Sequence, residues 1–592
     1  MEADPRPHEK PLQLHYPSKN LSNFRHRPLN HAGGENVRLV CLLPGDFTDQ
    51  IFCELFHASL EFGIDYEAVS YTWATEDGDA SLSESIACGY VGEENETKLS
   101  ITVNCASALR RLRHRSEPRV LWIDIIAIDQ ANPEERNHQV GLMGQIYSQA
   151  SQVLVYLGEE DLGFGVQGIW QDSERRLVAL KKLFAKRWAS RVWVIQEVAL
   201  AQKLKMITGD VAIPMDAQFM TRVRGRARVS QLLVPGPLAW DPVVSAPSRD
   251  LLTMLHMSRN CLSTDPRDKV YGLLGLAGER LQNLVQVDYS QSVEEVLTIA
   301  SMAIIFLRKD FEILAYATST LGATHANGRL PTWVPNWSEY RDEEAAVQQF
   351  NGWRVGPWRS LSKEWLWKRL EDEERLDWLN VVTMPTNWYG SAKKPYLTLR
   401  AHCIGVIDDT IRESHGGPIR SSRHGLPTYD YRLRLQTLIE RDIPTDHWPP
   451  QFRWLIEGLS TERKLFQGRS ERPIVGRLTE SEKADLQSFC DHLARVGGNK
   501  YIFRAGYLPA IASSEFEPGD CVYAVDGCTT PLILRRVGTE GLWKFRVIGN
   551  TYLLSLAHLD CWVTTGSGLR QQWDFDPFRR MDAQGTRMIE IY

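Results

Sequence analysis

Short apolar runs rich in β-branched and aromatic residues open the patterned part of the sequence. They are Arg38 to Leu43 and Tyr66 to Trp73, the second closed by the turn Thr75-Glu76-Asp77-Gly78-Asp79. Such runs predict strands. Ser85 to Gly89 and Leu99 to Val103 predict a hairpin, and Asn104 is placed to cap a helix that is apolar at Ala106, Leu109 and Leu112. Val120 to Ile128 is nearly continuous in apolar residues, broken by Asp124, which is the pattern of a central parallel strand covered on both faces. Glu134 to Ala150 places Val140, Met143, Ile146, Tyr147 and Ala150 at helical spacing. Its acidic residues, Glu134 and Glu135, fall in the first turn, where the helix dipole favours them. Val153 to Leu157 predicts a second buried strand, and Arg175 to Lys186 and Ala189 to Ala201 predict helices. This alternation predicts an α/β fold with a doubly wound parallel sheet.

The texture then changes. A turn at Thr264 to Asp268 precedes helices over Val270 to Leu276 and Val293 to Leu307. Beyond about residue 330, Trp-rich loops (Trp333, Trp337, Trp353, Trp358) and an acidic run at Glu371 to Glu374 lead to a strand at Tyr396 to Ile407. Helical patterns follow at Tyr429 to Ile443 and Glu480 to Val496, then short strands near 501–503, 521–525, 531–536 and 545–548. These changes divide the protein into a loose arm (1–36), an α/β domain (37–210), a helical extension (211–330) and a mixed α+β region (331–592). At roughly 150 residues per domain, two to four domains are expected.

Composition removes several classes. With 43% hydrophobic and 24% charged residues the protein has enough apolar surface for large cores, which excludes a wholly disordered state. Sixty-eight Lys+Arg against 74 Asp+Glu leave a formal charge of −6, without the footprint of a nucleic-acid binder. The longest apolar run, Val296 to Leu307, is too short for a membrane span, which needs about 18 residues. Ten scattered Cys with no CxxC pair, behind an N-terminus without signal-peptide features, read as reduced thiols of a cytoplasmic protein. The Cys and His residues match no zinc spacing, so no metal is expected. Gly163-Phe164-Gly165-Val166-Gln167-Gly168 matches G-x-G-x-x-G. An acidic stretch separates it from the preceding strand, so it reads as a loop and not as a dinucleotide fingerprint.

In open α/β sheets ligands bind beyond the carboxyl ends of the strands. The polar residues expected there are Ser70 on the first strand of the wound sheet, Asp124, Asp129 and Gln130 in and after the central strand, Glu135 and Arg136 at the next helix start, and Arg191, Trp193 and Glu197 on a further helix. Trp193 and Glu197 are i and i+4 and share a helix face. A carboxylate beside an indole is partly desolvated, which raises its pKa and suits acid–base or ribosyl-oxocarbenium chemistry. Each residue also has a plainer structural reading: Asp124 as an acceptor for backbone or Arg donors, Glu135 and Arg136 as a helix-start ion pair, Ser70 as a packing residue and Trp193 as core.

Taken together these stretches resemble the fungal heterokaryon incompatibility (HET) domain. Tyr66 to Trp73 (YEAVSYTW) resembles its opening ALSYxWG block, and Leu121 to Gln130 (LWIDIIAIDQ) its LWIDAICINQ block. Glu135 to Val140 with Met143, Ile146 and Tyr147 matches ERxxQVxxMxxIY. Val153 to Gly158 matches the VxVWLG strand, Arg187 to Glu197 matches RxWxxRxWxxQE, and Asp265 to Tyr271 matches DPRDKIY. Within the central block Ala127 stands where the family has Cys, and Asp129 where it has Asn. Alanine supplies neither nucleophile nor ligand. HET domains are in turn similar to TIR domains, with Ser70-Tyr71 in the place of the TIR FISYS strand and Ser190, Trp193 and Glu197 in the place of SxWCxxE.

The resemblance implies a TIR-like sheet and a protein of fungal non-self recognition whose activation leads to cell death. It implies Glu197 as the catalytic residue in cleavage of NAD, which is a substrate here and not a cofactor. Ser70, Trp73, Asp124, Gln130, Arg191 and Trp193 would bind the substrate, with Glu135, Arg136, Asp129 and Ala127 supporting them. Self-association through the HET domain and an unidentified protein partner for the C-terminal region are the expected interactions. Two other readings remain open, a non-enzymatic signalling protein with a degenerate site and an enzyme that has reused the fold for other metabolism.

Overall fold

A computed structural model describes residues 22–30, 36–93, 97–165, 172–230, 232, 234–239, 250–317, 330–339, 382–383, 395–407, 501–505, 508–512, 516–525, 528, 530–538, 543–553 and 586–592. The protein divides into two compact units, Met1–Gln291 and Ser292–Tyr592.

Nine strands form the sheet of the first unit: β1 (Val37–Leu42), β2 (Phe52–Ala58), β3 (Glu67–Ser70), β4 (Glu84–Tyr90), β5 (Thr97–Ile101), β6 (Arg119–Trp122), β7 (Gln152–Tyr156), β8 (Leu204–Thr208) and β9 (Val211–Pro214). Their order across the sheet is β5-β4-β2-β1-β6-β3-β7-β8-β9. The middle strands β6, β3, β7 and β8 are mutually parallel. In sequence order they run second, first, third, fourth, so the winding reverses at β3. The sheet as a whole is mixed, which corrects the expected all-parallel one. β1 pairs antiparallel with both β2 and β6, β4 with β5, and β8 with β9. Short connections account for the β1–β2, β4–β5 and β8–β9 pairs, because only antiparallel neighbours can be joined by a tight turn; β1 and β6 are far apart in sequence. The β8–β9 link is Gly209-Asp210, with Gly209 at φ +52°, a hairpin signal in the sequence that is easily passed over.

Helices cover both faces. α1 (Val103–Leu112) packs on one face, with α2 (Asp124–Ala127) at the sheet end. On the other lie α3 (Pro133–Gln149), α4 (Ser173–Ala185), α5 (Val194–Ala199), α6 (Ala217–Val229) and α7 (Gly236–Ala239). β7 shows why its run is apolar throughout: Val153 and Val155 enter one core, Leu154 and Tyr156 the other. The unit continues with α8 (Leu251–Met257), α9 (Asp268–Leu274) and α10 (Glu279–Leu284). Residues 22–30, within the expected arm, lie against the sheet. Phe24 N–H donates to Lys98 O at 2.9 Å, His26 Nε2 lies 2.8 Å from Ile126 O, and Arg27 N–H donates to Tyr90 Oη at 2.7 Å.

Three local expectations change. The apolar run 120–128 is strand only to Trp122; Asp124 then starts α2, its Oδ1 accepting the Ile125 N–H at 2.8 Å. Short apolar runs do not distinguish a buried strand from a buried helical turn. α1 is capped by Thr102, whose hydroxyl accepts from Cys105 N–H at 3.2 Å, and not by Asn104. The expected helix Ala189 to Ala201 is a 3-10 turn, Arg187–Ser190, followed by α5, with Trp193 as the residue before α5.

The second unit opens with α11 (Val293–Arg308), held at its start by a Ser292/Glu295 capping box. Its eight-stranded sheet comprises β10 (Val382–Thr383), β11 (Tyr396–Val406), β12 (Tyr501–Ala505), β13 (Leu508–Ala512), β14 (Cys521–Val525), β15 (Leu532–Arg536), β16 (Lys544–Leu553) and β17 (Thr586–Ile591). The order is β10-β11-β14-β15-β16-β13-β12, with β17 pairing to β11 and β16. Buried Asp520 takes two hydrogen bonds from Arg535, at 2.8 and 3.0 Å. The expected helices at 429–443 and 480–496, the acidic run and Trp353 and Trp358 lie outside the described residues.

Candidate functional site

β3 leaves the sheet at Ser70, between the ends of β6 and β7. The hydroxyl of Ser70 links two other elements there. Trp188 Nε1–H, from the 3-10 turn, donates to Ser70 Oγ at 2.7 Å, and Ser70 Oγ–H donates to the Glu197 carboxylate on α5. Ser70 and Glu197 are 0% and 3% exposed, so this donor–acceptor relay is closed off from solvent. Burial pushes the Glu197 carboxyl up to about 7, and the Asp124 charge adds to the rise; Arg191 and the Ser70 hydrogen bond oppose it.

Arg191 anchors the arrangement. It donates to Tyr71 O, just past β3, and its charge acts on three carboxylates, Glu197, Asp124 and Asp268. Burial raises the pKa of all three, and Arg191 works against that rise in each. One guanidinium thus serves three carboxyl groups whose burial favours the protonated form. Two half-buried indoles, Trp73 and Trp193, belong to this region, and Trp73 Nε1–H donates to Asp124 Oδ2 at 2.9 Å. Asp268 accepts from Tyr289 Oη–H at 2.6 Å. Gln130 supports Asp124 indirectly, its Nε2–H reaching the Asp124 carbonyl at 3.2 Å. Asn104 reinforces the β3 exit by donating to Thr72 O at 2.6 Å.

The remaining sequence candidates form a separate cluster. Glu135 is buried and paired with fully buried Arg38, one of the two bonds measuring 2.7 Å. Glu135 Oε1 also accepts the Asp129 N–H at 2.7 Å, and Arg38 donates to the Ala127 carbonyl at 3.1 Å. The guanidinium holds the Glu135 carboxyl below the usual carboxylate range despite its burial. This pair pins the loop that follows α2, and through it the position of Asp124. The Ala127 side chain is fully buried in the core, so the family's Cys-to-Ala departure falls at a packing position. Arg136 is the exception: it stacks at 4.3 Å over the ring of Tyr289, whose hydroxyl donates to Asp268 of the Arg191 cluster.

Trp188, Tyr71 and Asp268 were not expected in this site. Trp188 and Asp268 sit inside the RxWxxRxW and DPRDKVY blocks, so the signal was present; their proximity was not. A short bridge creates it, Val192 N–H to Leu262 O at 3.0 Å and Leu262 N–H to Ser190 O at 2.6 Å. Arg267, bonded to Asp265 and to the Tyr289 and Gln291 carbonyls at 2.7 and 2.6 Å, then folds the block back on itself. Among the described residues, no group of three or more His, Cys, Asp or Glu side chains is arranged to hold a metal ion.

Residues 66–197, which span β3 through Glu197, match the family described as "Heterokaryon incompatibility protein (HET)". This stretch is a HET domain. The protein is also 26% identical over 399 residues to "Heterokaryon incompatibility protein 6, OR allele" of Neurospora crassa. That alignment covers 51% of this sequence and 58% of the relative, so less than two thirds of that protein is spanned. No solved structure matches. Asp268 and Tyr289 lie beyond the matched residues, so the carboxylate cluster built around the HET domain's Arg191 is completed by residues that follow the domain.

Proposed function

We propose that the protein acts in fungal non-self recognition, as the name of its Neurospora relative suggests, and that its HET domain is a TIR-like effector that cleaves NAD and thereby triggers cell death. The observation that carries this reading is the Trp188–Ser70–Glu197 relay at the end of β3, where the parallel strands reverse their winding and ligand crevices form. In the proposed reaction the bond between nicotinamide and ribose C1′ breaks, and nicotinamide leaves as a neutral base. Water adds to C1′ and its proton passes to a carboxylate. Glu197, when ionised, stabilises the cationic ribosyl transition state. Asp124, Arg191 and the indoles of Trp73 and Trp193 hold the ribose and its phosphate. Self-association through the HET domain would open the buried Glu197 to substrate, and the second unit would meet the partner that sets it off.

Nicotinamide release by the purified, concentrated protein, followed by chromatography, tests this. Turnover is expected, with a loss of roughly 10²-fold or more in Glu197→Gln. Equal turnover in the variant, or none in an oligomerised protein, would sink the enzymatic reading. The second reading, a non-enzymatic signalling module, rests on the near-complete burial of Ser70 and Glu197. It predicts full cell-killing by Glu197→Gln.

A further inference from the structure

β11 and β14 are antiparallel neighbours whose register shifts between Cys403 and Gly405. Cys403 stands opposite Tyr523, and Cys521 opposite Val406. Opposed residues share a sheet face, and so do residues two apart on one strand. Cys403, Tyr523 and Cys521 therefore lie on the same face, with the two cysteines diagonal across the bulge. Both residues are partly exposed, neither is in a disulfide, and the Cys521 thiol donates to Gly519 O at 3.6 Å. The other described cysteines are buried, except Cys41 on β1.

We propose that Cys403 and Cys521 form a reversible disulfide under peroxide, a modification site that staples β11 to β14. One thiolate attacks a peroxide oxygen, giving a sulfenic acid and the first water. The second sulfur then attacks the sulfenic sulfur, the S–S bond forms and the second water leaves. Two electrons pass from the sulfurs to the peroxide, so the step balances. The bond encloses residues 404–520 in one covalent loop. The neighbouring thiol, burial and the Asp520 charge all hold the Cys521 thiol well above the usual thiol range, with Arg536 opposing them. Since the thiolate is the attacking form, the reaction accelerates as pH rises.

The test uses the full-length protein, treated with hydrogen peroxide at pH 7 and pH 8.5, alkylated, and digested without reductant for mass spectrometry. The expected product joins the peptides carrying Cys403 and Cys521, about 2 Da lighter than their sum. It forms faster at pH 8.5, persists in Cys528→Ser, disappears in Cys521→Ser and is reversed by dithiothreitol. Full alkylation of both residues at peroxide levels that oxidise Cys41 would overturn the proposal. So would a link from Cys403 to any other cysteine, or links only between molecules.

Discussion

A carboxylic acid that titrates near neutrality inside a core makes stability depend on pH in a definite direction. Glu197 is raised from 4.5 to about 7 by burial. Between those values the unfolded state loses its proton while the folded one keeps it, so stability falls as pH rises through this window and levels off above it. The drop is of the order of 3 kcal/mol. Glu197→Gln removes it, and denaturant titrations of the two proteins at pH 5 and pH 8 should show the variant gaining on the wild type at the higher pH. The Arg38–Glu135 pair behaves in the opposite way. Arg38→Leu leaves a buried carboxylate without its partner and should cost about 3–5 kcal/mol, whereas Arg38→Leu/Glu135→Leu should recover most of it. Equal loss in the single and double variants would mean that packing, and not charge, is what Arg38 supplies. At this scale Ser70, Arg191 and Glu197 were legible from their blocks. The Arg38–Glu135 pair was not, because Arg38 lies in a strand run with nothing to mark its charge as buried.

Backbones of two elements meet closely where α3 packs against the end of α9. A Cβ on Gly144 would sit 2.7 Å from the Gly275 Cα, just past the end of α9, so the two backbones touch. Both positions require glycine for space, not for conformation. Gly144→Ala should therefore destabilise by roughly 1–3 kcal/mol through overpacking, where an ordinary exposed helical Gly→Ala change stabilises slightly. A rise in the denaturation midpoint would show that the helices can separate without cost. Strands β1, β3 and β7 and helices α3, α4 and α11 were legible from periodicity. The α2 turn was not, since Ile125, Ile126 and Ala127 are buried whichever way the backbone runs. β2, β8 and β9 were also passed over: β2 carries Glu54 and His57 among its apolar residues, and the Gly209-Asp210 hairpin is marked by only two residues.

For the whole molecule, the division at Gln291 and Ser292 carries an expectation of its own. Arg267 ties Asp265 to the carbonyls of Tyr289 and Gln291, so the first unit is closed by its own last residues. A fragment of residues 1–291 should unfold in one cooperative step, followed by tryptophan fluorescence, and a fragment ending at Glu197 should not. The second would lose β8, the parallel partner of β7, and everything that surrounds Arg191 from the far side. Cooperative unfolding of the shorter fragment would show the HET domain to be self-sufficient.

The position of β3 has a further consequence for how the protein is made. β3 is complete at Ser70, yet both strands that flank it arrive later, β6 from Arg119 and β7 from Gln152. During synthesis this inner strand waits without either partner until β6 is complete at Trp122, and it gains its second partner only when β7 is complete at Tyr156. Non-local pairing of this kind is slow and leaves strand edges open to other polypeptides. The arrangement that places Ser70 at the heart of the site thus leaves the nascent polypeptide with an open strand edge, the kind of surface that chaperones shield.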